Sequence, residues 1–94
     1  MVIGTIKLKI FAPWVHSLKE KRMVVKSLCA RIKNKFNVSI AEVEDQDIHQ
    51  SIVLGVACVT TDNAHADQIL DKVIRFIEAN TEGEIIHLER ENLY

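Results

Sequence analysis

Lys19, Arg22, Lys26 and Lys33 fall within about 60° of one another when projected on a helix. They therefore make one ridge of cations spaced about a helical turn apart. A row of this kind can neutralise successive phosphates and release their counterions, the main sequence-independent source of nucleic-acid affinity. Lys21, Arg31 and Lys35 stand at other angles, and Lys21 and Arg31 are read as secondary contacts. Two other fates compete for the same side chains. One is a plain solvated helix face, and the other is pairing with the acidic half of the same chain.

That acidic half is marked. From Met1 to Asn37 nine basic residues face the single acid Glu20, and from Val38 onward three basic residues face twelve acids, although the formal net charge is only −1. The chain can thus offer a basic surface to an anionic partner despite its balanced total.

Other chemistries find less support. His16, His49, His65 and His87 are scattered, with no pair at the helical spacing of a metal site, so no metal and no cofactor are expected. Cys29 and Cys58 lie in separate apolar segments without redox or metal spacing and are read as small core residues of a protein kept in a reducing cytoplasm. Glu42 and Glu44 share one side of a strand and are read as exposed edge charges rather than an acid and base pair. Trp14, the only tryptophan, is either a lid on the local core or an anchor for a partner. No stretch approaches the ~18 uncharged apolar residues of a membrane span, so neither secretion nor insertion is expected.

The elements that must position these residues follow from periodicity. Val2 to Phe11 alternates, with Val2, Gly4, Ile6, Leu8 and Ile10 on one side and Ile3, Thr5, Lys7, Lys9 and Phe11 on the other, as in a half-buried strand. Ser17-Leu18-Lys19-Glu20 has the form of a capping box and opens a helix over about Leu18 to Lys35, with Leu18, Val25, Leu28, Cys29, Ile32 and Phe36 as its apolar stripe. Val38 to Glu44 reads as a strand whose broken alternation at Ala41-Glu42-Val43 signals a bulge. His49 to Thr60 reads as a third strand, apolar at both parities and so covered on both faces. Thr60-Thr61-Asp62-Asn63 caps a second helix ending near Asn80, with Ile69, Leu70, Val73, Ile74 and Ile77 inward, and Glu84 to Leu93 is the last strand.

The order β-α-β-β-α-β, with short connections in one domain spanning residues 1–94, gives an α+β ferredoxin-like sandwich: a four-stranded antiparallel sheet with both helices on one face. The other face is open. Val53, Gly55, Ala57 and Val59, with Ile3 and Phe11 beside them and Trp14 nearby, are expected to form an apolar patch there. The partner expected on it is a second copy, making a homodimer. This face lacks the base-stacking aromatics of an RNA-recognition motif, so any RNA contact is expected on the helices, electrostatic or shape-directed.

The opening Val2-Ile3-Gly4, the segment Ser17-Leu18-Lys19-Glu20-Lys21-Arg22, the stretch Asn37-Val38-Ser39-Ile40-Ala41-Glu42-Val43 and the pair Leu54-Gly55 together resemble the YlxP family of small bacterial proteins, over essentially the whole chain. The resemblance implies a ferredoxin-like fold. It also implies, through the family's frequent gene neighbours in translation initiation and ribosome maturation, a role near RNA or the ribosome. The family usually has Trp-Gln before the third strand, where this chain has His49-Gln50. Enzymes and metal carriers of the same topology differ in the first loop. Acylphosphatases need a Gly-rich loop with an Arg, and metal chaperones a Cys-x-x-Cys, whereas here it reads Ala12-Pro13-Trp14-Val15-His16-Ser17. The expectation is a non-catalytic cytoplasmic protein binding RNA or the ribosome through the first helix, with a small-ligand or protein-interaction module on the open face as the alternative.

Overall fold

Alternation of side chains along each strand decides what the sheet buries. In the computed structural model, which describes residues 1–93, β1 (Val2–Phe11) turns Val2, Gly4, Ile6, Leu8 and Ile10 into the core and leaves the intervening residues half-exposed. β2 (Ser39–Glu44), β3 (Ser51–Thr60) and β4 (Glu84–Leu93) complete one antiparallel sheet in the order β2-β3-β1-β4. The ends differ slightly from the sequence reading. β3 starts at Ser51, because His49 and Gln50 belong to the preceding turn, and β2 starts at Ser39.

α1 (Leu18–Lys35) and α2 (Asn63–Asn80) close the inner face. α1 begins where Ser17 Oγ accepts from the Glu20 N–H at 3.1 Å, while the Glu20 carboxylate reaches back to the His16 N–H at 3.3 Å. This is a capping box displaced by one residue. α2 begins where the Asp62 carboxylate accepts from the His65 N–H at 2.8 Å.

The core joins Ile6, Leu8, Ile10, Ile52, Leu54 and Val56 of the sheet to Leu28 and Ile32 of α1 and Ala66, Leu70, Val73 and Ile77 of α2. Each fully buried Leu, Ile or Val contributes roughly 1.5–3 kcal/mol of transfer free energy, which is what holds two amphipathic helices on the sheet. Cys58 is buried and Cys29 half-buried, both are free thiols, and burial pushes both thiols above their ordinary pKa.

Two sheet irregularities direct side chains. The register shifts between Glu42 and Glu44 of β2, and again between Lys9 and Ile10 on the β4 side of β1. The first is the bulge signalled by the broken alternation at Ala41-Glu42-Val43. It sends Glu42, opposite Leu54, toward the helices and Glu44, opposite Val53, toward the open face. No helix among the described residues is long and apolar enough to cross a membrane.

Candidate nucleic-acid interface

Helical spacing places Lys19, Arg22, Lys26 and Lys33 on one flank of α1, and all four are exposed. Among the described residues none of them forms an ion pair. The cations that do pair with the acidic half lie elsewhere. Lys7 lies 3.0 Å from Glu44 and 3.6 Å from Glu89, Lys9 lies 3.4 Å from Asp45, and Arg90 pairs with Asp67 and Asp71. Neutralisation within the chain therefore spares the ridge.

Arg31 is exposed but turned toward α2. It bonds the Asn80 side-chain oxygen and its guanidinium lies 5.7 Å from the centre of the Phe76 ring. Lys35 lies 5.2 Å from the same ring, which meets Phe36 edge-on at 5.8 Å.

Lys21 is not a surface contact at all. Its side chain is 1% exposed, and its ammonium donates to the backbone carbonyls of Asp45 and Ile48 while standing 2.7 Å from Glu42 Oε2. An ammonium buried in this way, with two carbonyls as acceptors and its charge paired with a carboxylate, does not reach a phosphate at the surface. Glu42 in turn is no edge charge: its Oε2 is buried, accepts no aligned hydrogen bond among the described residues, and has its charge met by Lys21 alone. The pair fastens α1 to the β2–β3 turn, where Asp45 adopts a left-handed φ of 55°. Ser51 Oγ donates to the Asp45 carboxylate at 2.7 Å, and this bond, helped by Lys9, holds the Asp45 carboxyl below the usual range. The hold is complete at neutral pH and is released only as pH falls through that depressed value.

The open sheet face departs from the expected apolar patch. Val53 is only 3% exposed, flanked by Lys9 on β1 and Glu44 on β2. Gly55 is covered by Val43, and Ala57 is half-buried. The centre of the face is charged instead, with Lys7 bridging Glu44 and Glu89, and His87 3.0 Å from Glu89. Glu44 and Glu89 hold Lys7 above its ordinary pKa, and His87 and Lys7 hold Glu89 below its own. Apolar exposure is found toward the ends, at Phe11 and at Val59 beside Ile3 and Leu93, and at Val43 and Ile86 beside the charged centre. Trp14 is not on this face. It packs partly buried on the helix side, lining a groove with Met23, Ser27, Arg31 and Asn80.

Sequence reasoning missed Lys72 and Arg75, which lie three residues apart on the outer side of α2 and border a recess with Lys35 and Phe76. Their i, i+3 spacing was a visible signal, obscured by the acids around them. Among the described residues no group of three or more His, Cys, Asp or Glu side chains converges to hold a metal.

A family model described as a protein of unknown function (DUF503) matches residues 3–90. The chain belongs to the DUF503 family. A relative, the uncharacterised protein YlxP of Bacillus subtilis (strain 168), is 43% identical over 68 residues, 72% of this chain and 74% of its own length. A solved structure, the de novo designed protein Ferredog-Diesel, covers 95% of this chain and 83% of its own at 14% identity, with a TM-score of 0.41. In this DUF503 chain the His49-Gln50 position is a brace for the first loop. The Gln50 amide donates to the Pro13 carbonyl at 3.1 Å, and the Gln50 carbonyl accepts from the Ala12 N–H at 2.9 Å, while His49 is exposed.

Proposed function

We propose that this protein is a non-catalytic RNA-binding protein of the cytoplasm, with ribosomal RNA among its targets, and that the outer flank of α1 is its contact surface. One observation carries the reading: Lys19, Arg22, Lys26 and Lys33 form an exposed row to which the chain's abundant acids offer no ion pair among the described residues. Free thiols at Cys29 and Cys58 fit a reducing compartment.

The test is fluorescence anisotropy against fragments of ribosomal RNA over a salt series. Arg22→Glu combined with Lys26→Glu is expected to lower affinity by tenfold or more, and to reduce the salt slope by about 2, since each phosphate contact contributes about 1. The circular dichroism melt should remain that of the wild type, because both side chains are exposed. Unchanged affinity in the double variant removes the assignment to this flank.

A second reading, a homodimer through the open face, is favoured by Val59, which is 66% exposed with Ile3 opposite it and Leu93 beyond. Light scattering at about 100 μM should give twice the single-chain mass, and Val59→Asp should return it to one chain by burying a carboxylate in the contact. A monomeric wild type at that concentration ends this reading.

A further inference from the structure

The ridge is only half of the basic surface. Across α1 from it stand Arg31 and Lys35, and beyond them Lys72 and Arg75 of α2, all four exposed. They are gathered by the aromatic pair Phe36–Phe76, around a recess of about 530 Å³ bordered by Lys35, Lys72 and Arg75. Between the two rows runs the outward crest of α1, made of Met23, Ser27, Ala30 and Asn34. All four are exposed, uncharged and unbranched, and three are short. Most acids of the helical layer lie at its margins, while exposed Glu78 stands one turn from Arg75 and the Asp71 carboxyl feels the Arg75 charge. Asp67 and Asp71 pair with Arg90 on the flank over β4, Glu20 is tied to the His16 N–H, and Glu82 lies at the Trp14 end.

We infer that α1 lies lengthwise in the minor groove of an A-form RNA duplex, its neutral crest facing the groove floor and its two rows of cations reaching the two phosphate strands. This deepens the RNA-binding reading above and rests on it. A single strand has one backbone and would engage one row, whereas this surface presents two, separated by a helix about 10–12 Å across. The crest selects the groove. Ser27, Ala30 and Asn34 are short and uncharged and allow the helix to approach closely, which suits the wide, shallow minor groove of A-form RNA with its 2′-hydroxyls. The major groove of A-form RNA is deep and narrow and closed to such side chains, and the DNA duplex in the experiment tests the B-form major groove, which admits a helix.

The experiment compares a blunt RNA duplex of about 20 base pairs, longer than the ~16 spanned by known duplex-RNA modules, with one of its strands alone and with a DNA duplex of the same sequence. The full chain is used, with anisotropy read over a salt series. The RNA duplex should bind at least tenfold tighter than either alternative, with a log–log salt slope near −7 for two rows, against about −3 for one row on a single strand. Lys72→Glu with Arg75→Glu, which changes only exposed side chains, should weaken duplex binding tenfold or more and leave single-strand binding unaltered. A circular dichroism melt reports on folding. Equal affinity for the single strand or for the DNA duplex overturns the inference, as does wild-type duplex binding by the α2 variant. Single-strand binding as tight as duplex binding, and abolished by Arg22→Glu with Lys26→Glu, would sink the duplex while keeping the RNA. Failure of every RNA to bind would remove both.

Discussion

Lys21→Met is expected to destabilise the protein by about 3–5 kcal/mol, the usual cost of removing one partner from a buried ion pair. Methionine keeps much of the stem's packing, so the loss would report the ammonium. The Glu42 carboxylate would be left with a buried, uncompensated oxygen, and the carbonyls of Asp45 and Ile48 would each lose one of two donors, keeping the Ile48 and Ser51 N–H respectively. Urea unfolding followed by circular dichroism measures the effect directly. Adding Glu42→Leu to Lys21→Met should recover part of the loss, because the orphaned charge then disappears and the two carbonyls keep their backbone donors. A Lys21→Met variant within 1 kcal/mol of the wild type would mean that the ammonium contributes little net stability, and a double variant worse than the single would mean that Glu42 has a further partner.

Gly83→Ala is expected to cost about 2–3 kcal/mol and to lower Tm by 10 °C or more. Gly83 does not have a positive φ, so the cost is purely steric. A Cβ there would stand 2.5 Å from Ile10 Cγ2 and 2.7 Å from the Phe11 carbonyl oxygen. The carbonyl belongs to the end of β1, which pairs with Glu84 at the start of β4 and cannot retreat without breaking that register. Gly55→Ala provides the contrast. Its Cβ would meet Val43 Cγ1 at 3.0 Å, but Val43 is an exposed side chain free to turn. That variant should stay within about 1 kcal/mol of the wild type. Thermal melts of both variants make the comparison, and equal losses would refute the distinction between a backbone obstacle and a movable one.

These two positions mark the boundary of what the sequence made legible. The alternation from Val2 to Phe11 and the capping signals at Ser17 and Asp62 located their elements to within a residue or two, because they depend on periods and caps contained in a few consecutive residues. The broken alternation at Ala41-Glu42-Val43 even located the bulge. Its consequence was hidden, since parity placed Glu42 and Glu44 on one side of a strand and the register shift sent them to opposite faces. Lys21 was misread for a related reason. At its angle on α1 it points toward the core, a position that helical geometry assigns to an apolar residue, and its charge made an outward role seem natural. Only acceptors supplied by residues more than twenty positions away make an inward lysine stable.

The sequence by itself determined the order of elements, the ferredoxin-like fold, the buried parity of β1 and the row Lys19, Arg22, Lys26 and Lys33, because each is set by spacing within a few consecutive residues. Tertiary structure alone decided which cations stay free. It turned Lys21 inward, engaged Lys7 and Lys9 with acids across the open face, and brought Arg31 and Lys35 of α1 beside Lys72 and Arg75 of α2. The physical reason is that a charge is neutralised by whatever lies within a few ångströms in space, and for these residues that neighbour comes from a different element of the fold.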